Sequence, residues 1–262
     1  MVGRAIELDR LAGLVGARTV PTVALVAGEA GIGKTRLVQE LVKRAPAGTL
    51  VLAGQADPAT AGRPMELLHD AIDSAIAAGV EVDDELFGAV RDKDRPAEER
   101  VRAGVDLVRK LTGDVTGLVI FEDLHWADPE SISVFERLAE PDGDGRGAGL
   151  VLVGTYRPDG LSRRHPASDV LPRLDRRHSV THIQLERLSP AEVSSFLQAV
   201  FDQDPSFRVV DALHSRTGGN PFFLEELVAS AGEVPDHELD DTPLPWTVSE
   251  LVRSEVDDLE PE

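Results

Sequence analysis

The 262-residue sequence contains no cysteine, which excludes disulfides and thiolate metal sites. Its seven histidines are scattered without the spacing of a zinc site, so no structural metal is expected. Aromatic residues make up only 4%, and the core must be built from Leu, Val, Ile and Ala, which a hydrophobic fraction of 42% can supply. Lysine is scarce as well, with Lys34, Lys43, Lys93 and Lys110 alone. Asp and Glu (47) outnumber Lys and Arg (27), for a net charge of −20. Phosphate backbones need a basic stripe, so direct nucleic acid binding by these residues is not expected. No apolar run reaches membrane-spanning length, and Met1-Val2-Gly3-Arg4 opens no signal peptide, so the expectation is a soluble, cytoplasmic protein. The length fits one large α/β domain with a smaller one, or part of a longer protein.

Against this background one stretch stands out, Gly28-Glu29-Ala30-Gly31-Ile32-Gly33-Lys34-Thr35. It fits G-x-x-x-x-G-K-[ST], the phosphate-binding loop of nucleoside triphosphatases. Thr22-Val23-Ala24-Leu25-Val26-Ala27 before it reads as a buried strand. After it, Arg36 and then Leu37, Val38, Leu41 and Val42 at helical spacing predict a helix ending near Pro46. A Gly-rich turn between strand and helix lets backbone N–H groups converge on phosphate oxygens, helped by the helix N-terminus. Lys34 would reach the β- and γ-phosphates and the Thr35 hydroxyl would bind Mg²⁺. The competing explanation, a glycine-rich turn with a chance lysine, sits poorly with so few lysines in the chain.

A second signal is Leu118-Val119-Ile120-Phe121-Glu122-Asp123, an apolar run ending in two carboxylates. This predicts a central parallel strand, and in open α/β sheets ligands lie outside the carboxyl ends of strands. One acid would bind Mg²⁺ and the other would orient or deprotonate the attacking water. By position Glu122 takes the metal place and Asp123 the base place. Glutamate departs from the commoner aspartate at the first place, and the roles could be reversed. In isolation the pair would be two solvated acids at a strand end.

The remaining pattern completes an α/β domain. Strands are expected at 49–54, 150–158 and 180–185, and helices at 5–15, from Pro64 to about Gly79, at 83–91 and at 97–111. Asp128 is placed to cap a helix beginning at Pro129, while His125 and Trp126 are expected to pack under the sheet edge. Residues 141–149 read as a mobile Gly/Asp-rich loop. Arg157, at the carboxyl end of the strand over 150–158, could sense the γ-phosphate or simply pair with a surface acid. Arg163, Arg164, Arg173, Arg176 and Arg177 form a basic cluster that fits a solvated face, a contact to another subunit's nucleotide, or a dock for the acidic tail.

At Ser189-Pro190-Ala191-Glu192 the strands stop and a capping box with proline at the first helical position opens a helical segment. Further helices follow over 206–216 and from Phe222, separated by Gly218-Gly219-Asn220-Pro221. Residues 233–262 hold eleven acids and one arginine. Within them Val248, Leu251, Val252, Val256 and Leu259 form an apolar helical face with no evident partner, as if a further domain began there. The expected organisation is an α/β domain over 1–188, a small helical lid over 189–232, and an acidic linker leading into a third domain over 233–262.

These stretches together resemble the signal-transduction ATPases with numerous domains (STAND), near the AAA+ ATPases. The strongest likeness is to the ATPase module of large LuxR-type, maltose-regulator-like bacterial transcriptional regulators. The matching segments are Val2-Gly3-Arg4 with Glu7-Leu8, the loop 28–35, and Phe121-Glu122-Asp123-Leu124-His125-Trp126-Ala127-Asp128. Gly154-Thr155-Tyr156-Arg157-Pro158 and Thr217-Gly218-Gly219-Asn220-Pro221-Phe222-Phe223-Leu224-Glu225-Glu226-Leu227 complete them. The resemblance implies a P-loop NTPase fold, a five-stranded parallel sheet flanked by helices, then a helical lid and the start of a winged-helix-like domain. It also implies that Val2, Gly3 and Arg4 line the adenine pocket, that Arg157 is the sensor, and that Pro221 packs on the base or ribose. ADP would hold such a module closed, and exchange for ATP with an inducer or protein partner would open it for oligomerisation.

Three functions remain open on these residues. The first is an ATP/ADP switch that hydrolyses slowly with Mg²⁺, from a transcriptional regulator or from a signalling cyclase or kinase. The second is a nucleotide-locked scaffold, which has no need of the acid pair. The third is a small-molecule kinase, against which the appended helical segment argues.

Overall fold

In the computed structural model the described residues are 2–16, 21–59, 62–113, 115–141, 149–177 and 180–231. The chain divides into two compact units. The larger comprises Ile6–Glu29 and Lys34–Leu185; the smaller comprises the residues up to Ala5, Ala30–Gly33 and those from Glu186 onward.

In the larger unit the chain runs α1 (Ala5–Ala12), β1 (Thr22–Ala27), α2 (Lys34–Arg44), β2 (Leu50–Gln55), α3 (Glu66–Ala77), α4 (Asp84–Arg91) and α5 (Ala97–Thr112). It continues through β3 (Gly117–Glu122), α6 (Pro129–Leu138), β4 (Leu150–Tyr156), α7 (Pro166–Arg177) and β5 (Val180–Gln184). All five strands are parallel, in the order β2-β3-β4-β1-β5. This is the α/β P-loop architecture expected from the sequence. Every residue of β3 is buried, as is β4 up to its last residue, because helices cover both faces. Leu118, Val119, Ile120 and Phe121 therefore show no polar alternation, and Phe121 stacks toward Phe135 of α6 at 5.9 Å between ring centroids.

Two glycines allow close layer contact. A Cβ on Gly54 would run into the Leu67 carbonyl of α3, and one on Gly154 would sit 2.6 Å from Leu124 Cδ1. The register then aligns the strand ends. Ala27 pairs with Tyr156, Phe121 with Gly154, and Gln55 with Glu122. With strands ~4.8 Å apart, the carboxyl ends of β1, β4 and β3 fall within roughly 10 Å of one another.

Asp128 organises the segment after β3. Its carboxylate caps α6, accepting from Glu130 N (2.9 Å) and Ser131 N (3.0 Å). The same carboxylate accepts from Met65 N (3.0 Å) and Glu66 N (3.2 Å) at the start of α3. One buried aspartate thus serves two helix N-termini. This explains why α3 begins at Glu66 rather than at Pro64: Met65 takes a left-handed conformation (φ 62°) and presents its N–H to Asp128. The expectation for the preceding turn is corrected in part. Leu124–Trp126 form a single 3-10 turn that buries His125 but leaves Trp126 39% exposed, so Trp126 does not pack under the sheet. Within the basic cluster Arg173 pairs with Glu136 at 2.8 Å. Residues 142–148 of the loop expected over 141–149, and the segment from 232 onward, lie outside the described residues.

In the smaller unit α8 (Pro190–Phe201), α9 (Phe207–Thr217) and α10 (Pro221–Ala231) pack around Leu188, Val193, Leu197, Leu213 and Leu224. The Ser189–Glu192 capping box is formed in full. Leu188 N donates to Gly219 O at 2.8 Å, and Gly219 (φ 77°) lies too close to the Leu188 carbonyl for any side chain. Among the described residues no helix is long and apolar enough to cross a membrane.

Replacing Asp128 by Ala should destabilise the fold by about 3 kcal/mol, the cost of two lost caps and of buried donors left without acceptors. Urea denaturation would measure it, and a loss no larger than that of an ordinary surface substitution would contradict the double-cap role.

Candidate nucleotide-binding site

In the larger unit the loop leaves β1 with Gly28 N donating to Tyr156 O at 3.3 Å. Lys34 opens α2 and is nearly buried. Its ammonium folds back to donate to Gly28 O and Glu29 O, each at 2.9 Å, closing the loop entry on itself. Burial lowers the Lys34 pKa, and the attraction of Asp123 opposes that more than any other neighbour. Arg157 is near enough to act on the same ammonium with the opposite sign.

The Thr35 side chain lies close enough to the Glu122 carboxylate, at the end of β3, to favour its charged form. Burial raises the Glu122 pKa and the neighbouring Asp123 adds to the rise, while Thr35 and Lys34 hold it down. Glu122 Oε2 is buried and has no hydrogen-bond partner among the described residues. Asp123 follows in a left-handed conformation (φ 57°, ψ 48°), a region aspartate tolerates better than most residues. Its N–H donates to the buried Thr155 hydroxyl of β4 at 3.0 Å. Its Oδ2 accepts from Gln55 Nε2 at 2.9 Å.

Gln55 is a site residue absent from the sequence-based set. Its own N–H donates to Asp70 Oδ2 (2.8 Å), which fixes the end of β2 beside the acid pair. In the sequence it is only a polar side chain closing an otherwise apolar strand; its place opposite Glu122 comes from the pairing of β2 with β3.

His125 is the other such residue. Its Nδ1 accepts from Arg157 N at 3.4 Å, its ring packs against Gly160, and Asp123 Oδ1 lies 4.0 Å away. A ring that accepts at Nδ1 carries its proton on Nε2, which is buried without a partner among the described residues. Burial pushes the His125 pKa down to about 4 despite the attraction of Asp123. The imidazole is therefore neutral and forms the floor beneath residues 157–160. Arg157 itself is half-buried, with Nε shielded and without a partner among the described residues. Arg36 is exposed on α2.

The larger unit thus brings together Gly28, Glu29, Lys34, Thr35, Glu122, Asp123 and Arg157. The other sequence-predicted residues belong to the smaller unit. There Val2 is half-buried, Gly3 takes φ 69°, and the buried Arg4 guanidinium donates to Glu186 O and to Ile32 O (3.5 Å). Ala30 O accepts from Asn220 Nδ2 at 2.9 Å, and Gly31 O from Phe222 N at 3.2 Å. Ile32 is buried, Gly33 has φ 99°, and Pro221 begins α10 half-buried.

A hard divalent cation prefers oxygen donors and keeps several waters. The Thr35 hydroxyl beside a buried carboxylate oxygen lacking a partner fits such an ion. Among the described residues there is no cluster of three or more His, Cys, Asp or Glu side chains to hold a metal unaided. Phosphate and water would have to complete its shell.

The sequence profile of the AAA ATPase domain matches residues 1–153, more than half of the chain. The chain belongs to the AAA ATPase domain family. No curated protein sequence matches it. The fold of this AAA ATPase domain is similar to that of the Walker-type ATPase PABY2304 of Pyrococcus abyssi (TM-score 0.67, 14% identity, covering 99% of this chain and 75% of that one). It is also similar to the Aeropyrum pernix ORC2 protein, solved as ADPNP–ADP complexes (TM-score 0.60, 17% identity, 92% and 67%). Cdc6p of Pyrobaculum aerophilum gives a TM-score of 0.56 at 14% identity, covering 86% of this chain and 60% of that one. At these identities the likeness concerns the fold. Family membership and fold make the chain a nucleotide-binding module of the AAA type.

The His125 pKa predicts a pH effect on the nucleotide-free protein. Its folded value lies below the unfolded value of about 6.5, so the unfolded chain binds the proton first on acidification. Stability should fall as pH drops from about 6.5 to about 4, by at most ~1.4 kcal/mol per pH unit from this residue. Urea midpoints at pH 7 and pH 5 should diverge more in the wild type than in His125→Asn, and an equal loss would contradict a neutral buried imidazole.

Proposed function

We propose that this AAA ATPase domain is an ATP/ADP switch that hydrolyses ATP slowly. The observation that carries the reading is the meeting of Lys34, Thr35, the Glu122–Asp123 pair and Arg157 at three adjacent strand ends of one sheet.

On this reading Lys34 exchanges its bonds to the Gly28 and Glu29 carbonyls for the β- and γ-phosphates. Thr35 and Glu122 would hold Mg²⁺, which neutralises charge on the phosphate oxygens when bound. Arg157, its backbone seated on His125, would place a fixed positive charge at the γ-phosphate. Asp123 would take the proton from the attacking water as its oxygen bonds to the γ-phosphorus and ADP leaves. In this structure the same carboxylate accepts from Gln55, and that bond must loosen before Asp123 can serve a water. This restraint favours slow turnover, and in a switch the lifetime of the ATP state is the signal.

The order of the motifs, from Val2-Gly3-Arg4 through Phe121–Asp128 to Gly218-Gly219-Asn220-Pro221, supports a STAND-type module of a LuxR-like transcriptional regulator. Val2, Gly3, Arg4 and Pro221 would then meet the adenosine moiety, with residues 28–36 around the phosphates. The domains would be 1–188 for nucleotide binding, 189–232 as lid, and 233–262 leading into a third. An inducer or protein partner would act through nucleotide exchange and oligomerisation. The net charge of −20 opposes a direct DNA contact by these residues.

Nucleotide binding should stabilise the fold by about 4 kcal/mol at ~1,000 times the dissociation constant. Calorimetric melting with Mg-ADP measures this, and an unchanged transition would remove the reading. Asp123→Asn should still bind ATP yet release phosphate at least ~100-fold more slowly, as expected on removing a general base. Wild-type phosphate release from that variant would assign the base elsewhere.

A further inference from the structure

The tip of the phosphate loop, Ala30–Gly33, belongs to the same compact unit as the helical segment. Three consecutive carbonyls of this tip are held by named donors of that unit. Ala30 O accepts from the Asn220 side-chain amide (2.9 Å), Gly31 O from the Phe222 backbone N–H (3.2 Å), and Ile32 O from the Arg4 guanidinium (3.5 Å). Asn220 and Arg4 are both buried. Asn220 Oδ1 also accepts from Phe222 N at 3.0 Å, which fixes the amide orientation with Nδ2 toward Ala30. Close approach is built in, since a Cβ on Gly31 would lie 2.7 Å from Phe222 Cβ and 3.0 Å from Asn220 Oδ1.

In a planar trans peptide the N–H points opposite to the C=O of the same unit. Holding the carbonyls of Ala30, Gly31 and Ile32 therefore directs the N–H groups of Gly31, Ile32 and Gly33 away from the donors that hold them. The positive φ of Gly31 (69°) and of Gly33 (99°) lets successive N–H groups turn toward one concavity, as in an anion-binding nest. We infer that Asn220 and Arg4 are positioning residues for the phosphate nest: they grip the loop from its carbonyl side and so preset its N–H groups for the β-phosphate of a nucleoside diphosphate. Arg4 does this through its guanidinium, in addition to any part it takes in an adenosine pocket. The helical segment then contributes to phosphate affinity without any of its side chains touching phosphate.

This inference rests on the nucleotide-binding reading, and the test separates the two. Asn220→Asp is nearly isosteric and keeps an acceptor for Phe222 N, but it cannot donate to Ala30 O. Titration of the full chain with Mg-ADP and with AMP would give the two dissociation constants. The variant should bind ADP about tenfold more weakly, a change of ~1.4 kcal/mol, with AMP affinity altered less than twofold. Equal losses for ADP and AMP would indicate a general structural effect, and an unchanged ADP affinity would remove the positioning role; either overturns the inference. Failure of the wild type to bind ADP would instead overturn the underlying reading.

A second measurement needs no variant. Hydrogen exchange on the wild type should find the Gly31, Ile32 and Gly33 amides unprotected alone and protected by Mg-ADP. Protection without nucleotide, or none with it, would mean that those N–H groups do not face the phosphate.

Discussion

A parallel sheet covered on both faces leaves its backbone no source of hydrogen bonds except the neighbouring strands. β3, β4 and β1 meet that demand with continuous apolar side chains, and polar chemistry is excluded along their lengths. It can enter only where the ladder stops. Register then decides everything, because pairing Ala27 with Tyr156 and Phe121 with Gly154 ends three central strands at one edge. The phosphate loop, the acid pair and Arg157 are neighbours because their strands run out of partners at the same height.

The electrostatics at that edge follow from burial more than from charge count. A chain of net charge −20 places Lys34 and Arg157 among Glu122, Asp123 and Asp159, so the site is nearly balanced within an acidic whole. Burial weakens the charged forms of Lys34 and Glu122, and each opposes the shift of the other. Such a set is stabilised by whatever brings complementary charge to it. The loop carbonyls supply this for Lys34, while Glu122 Oε2 has no such partner among the described residues.

The strands, the phosphate loop, the acid pair and the Ser189 capping box were legible because each depends on local composition: apolar runs, glycine spacing, a hydroxyl three residues before a glutamate. Gln55 was not legible, since its role arises only when β2 lies beside β3 and no local pattern encodes that adjacency. His125 was read as packing, which is correct for its burial, but its bond to Arg157 N joins segments 32 residues apart. Trp126 was misplaced because a 3-10 turn, with three residues per turn, sends adjacent side chains in different directions. The second job of Asp128 was hidden for the same reason as Gln55. A cap to the following helix can be read in sequence, and a cap to a helix more than sixty residues earlier cannot.

That double cap has a mechanical consequence. Residues 123–127 are anchored at one end by the β3 ladder and at the other by the Asp128 carboxylate, which four backbone N–H groups hold. The segment behaves as a spacer of set length between two fixed points. Trp126 alone among its large side chains is exposed, whereas Leu124 and His125 are buried, and adding or removing one residue would release either the acid pair or the starts of two helices. This part of the chain has to keep its length as well as the residues that do its chemistry.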